Sequence, residues 1–149
     1  MGIEEEIKQK KFRSEHHKML INLMFTTNSI GAAQNKVFKP YGLSSQQYNI
    51  LRILRGQHPK PAPLNLIQER MLDKNSNASR LVDKLILKKL VERKECLHDK
   101  RQVDIVITET GLELLKQLDG IIEKNEEFLT VLTDKEAKEM NRLLDKLRG

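Results

Sequence analysis

The chain has 149 residues, 38% hydrophobic and 32% charged, which makes it one domain's worth of globular protein, long enough to bury a core and neither disordered nor repetitive. A single cysteine, Cys96, excludes an intrachain disulfide framework and a cysteine-rich zinc site; the apolar run 19–25 is too short and too far inside for a signal core or a membrane span, so a cytoplasmic protein is expected. The net charge of +6 is concentrated: residues 44–108 hold 13 Lys/Arg against 7 Asp/Glu, and the flanks sum to zero, a distribution that suits a polyanion binder better than an evenly solvated surface.

In chain order, Met19, Leu20, Leu23, Met24, Thr27 and Ile30 recur at three- and four-residue steps and predict an N-terminal helix. Ile3, Ile7 and Phe12 extend the pattern, and Pro40, Tyr41 and Gly42 end it. Ser44 and Gln47 fit a capping box opening a second helix, with Tyr48, Leu51, Ile53 and Leu54 as its apolar positions and Gly56 closing it. The alternating prolines Pro59, Pro61 and Pro63 form a stiff extended connector. A short third helix follows, with Asn65 as its cap and Leu66, Ile67, Met71 and Leu72 facing inward. Residues 73–75 turn into the next helix.

That fourth helix spans about 76–89. At about 100° per residue, Ala78, Leu81, Val82 and Leu85 share one face. Asn77, Arg80 and Lys84 project from the opposite side, joined by Ser76 at the N-terminal end, with Asn75 before it, Ser79 toward the edge and Leu87 on the same outer face. Small polar and basic side chains at a helix start allow close approach to a nucleic-acid backbone, and the helix dipole adds partial positive charge there. Residues 91–97 and 103–107 read as the strands of a hairpin joined by His98, Asp99, Lys100 and Arg101, with Val103, Ile105 and Ile107 alternating against Asp104 and Val106. A helix and a basic hairpin side by side suit the major groove and the adjacent phosphates or minor groove.

From Thr108 the chain is helical again, with a stripe of Leu112, Leu115, Leu118, Ile122 and Leu129, Ile121 and Phe128 beside it, and a weak point at Gly120. Thr133 and Glu136 form another capping box, and Ala137, Met140, Leu143, Leu144 and Leu147 make the last helix amphipathic. Both terminal segments carry apolar stripes that three helices and a hairpin cannot cover within one small chain, which points to a second copy.

Three landmarks in order resemble the MarR family of winged helix-turn-helix regulators: the run Arg80-Leu81-Val82-Asp83-Lys84-Leu85, the Asp99-Lys100-Arg101 turn, and Ile105-Val106-Ile107-Thr108-Glu109-Thr110-Gly111. The chain departs from the family pattern at Lys89, where a glycine usually precedes Leu-Val, and in its longer proline-rich connector. The resemblance implies a mainly α (α+β) fold: a single domain over 1–149, with a winged helix-turn-helix lobe at 44–108, a β-hairpin wing, and dimerisation helices at 1–39 and 109–149. It also implies a homodimer whose recognition helices enter successive major grooves, at half-sites about 10 base pairs apart in a pseudo-palindromic operator.

The expected function is a double-stranded-DNA-binding transcriptional regulator, a repressor, without catalytic activity and without a cofactor. Asn75, Ser76, Asn77, Ser79, Arg80 and Lys84 are the candidate base and phosphate contacts, Arg80 being best suited to bidentate guanine recognition. Lys94 and Lys100 are candidate phosphate contacts on the wing. Resemblance implies that Asp99 pairs with Arg101 and holds the tip while Arg101 enters the minor groove. It further implies a small aromatic or phenolic effector, bound between the DNA-binding lobe and the dimer helices near His16, Met19 and Leu23. His16, His17, His58 and His98 offer no metal-ligand spacing, and Cys96 reads as a structural or incidental thiol. The competing reading is a winged-helix protein-interaction module without operator binding, which would need a neutral or acidic recognition face. An enzyme has no glycine-rich phosphate loop or nucleophile motif to stand on.

Overall fold

The structure, a computed structural model, describes residues 1–95, 98, 99 and 101–149. The N-terminal segment is two helices rather than one extended pattern. A short helix α1 (Ile3–Glu6) ends before Lys8, whose φ of 54° is left-handed. A new helix α2 (Glu15–Phe38) starts where the Ser14 side chain accepts the His17 N–H at 3.1 Å. Ile3 is buried, and Glu4 pairs with Lys18 to tie the two helices together. The expected stop follows α2: a 3₁₀ turn at Lys39–Tyr41, then Gly42 in the left-handed region at φ 66°.

Helix α3 (Ser45–Gln57) carries the predicted capping box of Ser44 and Gln47 and runs one residue past Gly56. Its inner face is Ile50, Leu51 and Leu54, all essentially fully buried. Phe38 stacks on Tyr48 with ring centroids 4.5 Å apart, which fixes the end of α2 against α3. The proline-rich connector does more than space the helices. Its end forms a two-residue strand β1 (Ala62–Pro63), so the sheet has three strands where a hairpin was expected.

Helix α4 (Leu64–Arg70) opens directly on Pro63, without a side-chain cap, and Asn65 lies inside it rather than capping it. Ile67 and Met71 are buried as expected, but Leu72 is 89% exposed. The helix has already ended at Met71, which is extended (φ −61°, ψ 138°), so the helical period no longer governs where Leu72 points.

Helix α5 (Ala78–Leu87) is shorter at both ends than the expected 76–89, and its N-cap is Asn77, whose Oδ1 accepts the Arg80 N–H at 3.1 Å. Its C-terminus answers the question posed by Lys89. That residue has φ 60°; its N–H bonds to Ile86 O at 2.9 Å, and the Leu90 N–H bonds to Leu85 O at 3.1 Å. These two bonds make a Schellman stop, in which the left-handed position is ordinarily glycine. Leu90 and Leu85 are both buried, supplying the apolar contact that accompanies this stop.

Strand β2 (Val91–Glu95) pairs antiparallel with β3 (Val103–Ile107), Val91 opposite Ile107 and Glu95 opposite Val103, and the sheet order is β1-β3-β2. Cys96 and Leu97 of the predicted first strand lie outside the described residues. The expected alternation in β3 holds only in part: Ile105 and Ile107 are buried, but so is Val106, while Val103 is 43% exposed. Ile105 is paired on both edges, with Ala62 of β1 and Arg93 of β2, and Val103 stands toward the hairpin tip opposite Glu95.

The long helix α6 (Glu109–Glu126) is capped by Thr108, whose Oγ1 accepts the Gly111 N–H at 3.1 Å and donates to Lys89 O at 2.8 Å. Leu115 and Leu118 enter the core, which gathers around Ile50, Leu51, Leu54, Ile67, Leu85 and Ile105. The stripe does not continue as helix to Leu129: a 3₁₀ turn (Glu127–Val131) intervenes, leaving Phe128 and Leu129 about half exposed. Helix α7 (Asp134–Arg148) starts at the predicted capping box of Thr133 and Glu136 and buries none of its residues. Among the described residues no helix is long and apolar enough to cross a membrane.

Candidate nucleic-acid interface

Helix α5 is amphipathic in a way that sorts its residues by role. Ala78, Val82 and Leu85 are buried against α3 and the sheet, whereas Ser79, Arg80, Asp83, Lys84 and Leu87 are exposed. Arg80, Lys84 and Leu87 follow one another at steps of four and three along the outer face, so two cations and an exposed leucine line one ridge. Asn77 is exposed, but its Oδ1 is committed to the cap, which leaves its amide nitrogen as the outward donor.

Asn75 is exposed in the preceding turn, its N–H bonded to Asp73 Oδ1 at 2.9 Å. Ser76 departs from the expected outward set. It is buried, its Oγ has no hydrogen-bond partner among the described residues, and its carbonyl accepts from Gln68 Nε2 at 2.9 Å. The helix starts two residues later than the periodicity suggested, so Ser76 belongs to the turn rather than to the ridge.

Gln68 is a residue at the entrance of α5 that sequence reasoning missed. From α4 its Nε2 reaches Ser76 O, and its Oε1 accepts the Ala78 N–H at 3.2 Å, so one side chain clamps the entrance of α5. Nothing in the local pattern signals it, because a polar residue on a short helix ordinarily faces water. Arg93 was missed likewise: from β2 it pairs with Asp83 of α5, joining the wing to the recognition ridge. Both groups of this pair are more than half exposed, so its role is orientation more than stability.

At the hairpin tip Asp99 holds the turn by a different bond from the one expected. Its Oδ1 accepts the Arg101 backbone N–H at 2.9 Å, and its carbonyl accepts the Gln102 N–H at 3.1 Å. Among the described residues no ion pair joins its carboxylate to the Arg101 guanidinium, and Arg101 is exposed. Aspartates of turns readily bond a backbone N–H two residues on. Lys94 is exposed on β2, in register with Asp104, while Lys100 lies outside the described residues.

The residues proposed for an effector separate into two places. Met19 and Leu23 line an apolar groove of about 740 Å³ between α2 and α7, with Met140, Leu143, Leu144 and Leu147 opposite; exposed His16 lines neither depression. The space between the α5-bearing lobe and the long helices is instead a cleft of about 790 Å³ formed by α2, α3 and α6, with Gly31, Asn35, Tyr48, Asn49, Arg52 and Glu126 on its walls. The cleft lies about three turns further along α2, past the apolar stripe that ends at Ile30, where α3 and α6 pack against it. Burial pushes the Tyr48 phenol above its usual range, against the pull of Arg52 and Arg55. Beside the cleft, Arg55 of α3 makes two bonds to Asp119 of α6, at 3.0 and 3.1 Å, bridging the lobe to the long helix. Among the described residues no three His, Cys, Asp or Glu side chains converge as metal ligands would.

The fold and the arrangement of helix, sheet and hairpin have close counterparts. Residues 41–102, which hold α3, α4, α5 and the first strand of the hairpin, match the MarR family pattern. The HTH-type transcriptional regulator MhqR of Bacillus subtilis is 30% identical over 132 residues, covering 87% of this chain and 89% of its own. A MarR transcription factor from Planctomyces limnophilus, solved as a crystal structure, is 32% identical with a TM-score of 0.70, covering 91% of this chain and 98% of its own. At 20% identity, the fold recurs in Staphylococcus aureus MepR crystallised with DNA, with a TM-score of 0.78 over 92% of this chain and 97% of that one. This chain belongs to the MarR family of transcriptional regulators.

Proposed function

We propose that the chain is a cytoplasmic homodimeric repressor that reads a pseudo-palindromic duplex with α5 in the major groove and the hairpin tip against the minor groove or its phosphates. The observation carrying this reading is the exposed ridge of Arg80 and Lys84 on a helix whose opposite face is locked in the core. A rigid basic helix beside a basic hairpin matches the shape and charge of duplex DNA. MepR bound to DNA supports the same use of the fold. Arg80 reads base edges, Asn75, Asn77, Ser79, Lys84 and Lys94 contact backbone or bases, and Asp99 sets the turn that presents Arg101. Ser76 acts from beneath, as part of the turn.

The dimer reading rests on what the monomer leaves uncovered. Met19, Leu20 and Met24 of α2, Phe128 and Leu129, and Met140, Leu143 and Leu147 of α7 are each about half exposed. A second copy laid on the terminal segments, 1–39 and 109–149, covers them, while 44–108 remains the DNA-binding lobe. The α2–α3–α6 cleft, bordered by the Arg55–Asp119 bridge, is the place for a small aromatic or phenolic effector. Occupation weakens DNA binding only if the occupant prefers the DNA-incompetent arrangement.

Selection of binding sites from random duplexes tests the reading: an enriched two-fold symmetric sequence with half-sites about 10 base pairs apart is expected. Salt titration on random duplex gives the second arm, since several released counterions mark a DNA binder, and a slope near zero favours a protein-interaction module.

A further inference from the structure

The cleft between α2, α3 and α6 shares a wall with the turn that delivers the recognition helix. Asn49 of α3 accepts the Leu72 N–H on its Oδ1 at 2.9 Å, and Gln46, one turn earlier, donates from Nε2 to Asp73 Oδ2 at 3.1 Å. Asp73 spends its other carboxylate oxygen on the Asn75 N–H at 2.9 Å and its carbonyl on the Ser76 N–H at 3.1 Å. Gln46, Asn49, Leu72 and Asp73 all border the cleft. From α4 the Gln68 amide reaches Lys74 O at 3.4 Å and Ser76 O at 2.9 Å, and toward α3 the Asn49 and Gln46 bonds hold the turn: Leu72 is 89% exposed, and Asp73, Lys74 and Asn75 are exposed as well. A segment without buried apolar side chains takes its position from hydrogen bonds.

We propose that Asn49, seconded by Gln46, is a positioning residue for α5, setting the helix-turn-helix turn from the cleft wall. Asn49 touches no DNA; its acceptor oxygen fixes where the chain leaves α4, and the Asp73 bonds pass that position on to Asn75 and Ser76. The cleft and the reading ridge are therefore joined by two side-chain amides, and whatever engages those amides from the cleft slackens the turn. The proposal rests on the DNA-binding reading above and adds the route by which the cleft reaches the ridge.

The test compares the full-length chain with Asn49→Leu, which keeps the shape and removes the acceptor, and Asn49→Asp, which keeps the acceptor. The probes are the duplex that the wild-type chain selects from a random pool and an unselected random duplex. Loss of one hydrogen bond that orients a reading element predicts about a five- to tenfold weaker hold on the selected duplex for Asn49→Leu. Random duplex is bound as before, amide exchange at Leu72, Asp73, Asn75 and Ser76 is faster, and Asn49→Asp behaves as wild type in exchange. Unchanged exchange, equal loss on both duplexes, or wild-type affinity for the selected duplex in Asn49→Leu overturns the proposal. Should Asn49→Leu not fold, Gln46→Leu removes the donor to Asp73 and carries the same comparison. A wild-type chain that selects no duplex refutes the functional reading instead, and exchange at Leu72 then decides the tether by itself.

Discussion

The junction between the recognition helix, the sheet and α6 rests on one missing methyl group, and replacing Gly111 with alanine measures it. A Cβ at Gly111 would lie 2.4 Å from the Leu90 carbonyl oxygen and 2.7 Å from Ile107 Cγ1. The carbonyl cannot easily yield: it accepts the Thr108 N–H at 3.0 Å, and the same residue's N–H closes the Schellman stop on Leu85. Overpacking of this kind costs about 1–3 kcal/mol, and breaking the Thr108–Leu90 bond to relieve it adds about 1 kcal/mol. Against this, alanine gains up to about 1 kcal/mol over glycine within a helix, so a net loss of about 2 kcal/mol is expected. Gly120, in the same helix, is the internal control, because a Cβ there meets nothing within 4 Å and Gly120→Ala should stabilise by about 1 kcal/mol. Urea unfolding of the two variants at one protein concentration reads the difference of about 3 kcal/mol. Equal midpoints for Gly111→Ala and Gly120→Ala would refute the steric reasoning.

Lys89→Gly should raise stability by roughly 1 kcal/mol in the same melts, because it removes a side chain from a φ of 60°; a destabilised variant would show that the lysine side chain makes a compensating contact. Arg101→Ala is expected to weaken binding to a selected duplex by roughly 1–3 kcal/mol with an unchanged thermal midpoint, and gel shifts at fixed salt check it. Leu143→Glu places a charge on the half-exposed face of α7 and should raise the dimer dissociation constant about a hundredfold, roughly 3 kcal/mol, as followed by sedimentation; a variant as dimeric as wild type would place the second copy elsewhere. Acid should loosen the start of α7. The Thr133 N–H and hydroxyl hold the Glu136 carboxyl below its usual range, so this cap's contribution is present above about pH 4.5 and lost as pH falls through the lower folded value. Accelerated exchange at the Glu136 amide below pH 4, absent in Glu136→Gln, reports it.

What was legible beforehand was whatever a local period or a short cap encodes. The boxes at Ser44–Gln47 and Thr133–Glu136 open their helices as predicted, and the core face of α5 follows from the spacing of Ala78, Val82 and Leu85. Features set by partners far along the chain were hidden. Leu72 reads as an inward position until the extended backbone at Met71 ends the helix before it. The strand at Ala62 exists only because Ile105, more than forty residues away, offers it an edge. Of the interface, the cations on α5 were visible from periodicity, whereas Gln68 and Arg93 work through contacts that no spacing rule announces. The proposed effector cleft illustrates the same limit: the apolar stripe of α2 draws attention to Met19 and Leu23, whereas the cleft is made further along the helix by the packing of α3 and α6.

The short strand β1 bears on how the edges of the sheet are kept from pairing with another copy. A hairpin that must project into solvent to meet another polymer exposes unpaired backbone groups, an open invitation to strand-by-strand polymerisation. Here one flank of the sheet is only two residues long and includes Pro63, with Pro61 just before it, which lack the N–H that a further strand would need. The other flank, β2, presents Glu92, Arg93, Lys94 and Glu95, charges of both signs that discourage apolar stacking. The proline-rich connector therefore also serves as a stopper, allowing the wing to remain extended without recruiting the wing of a neighbour.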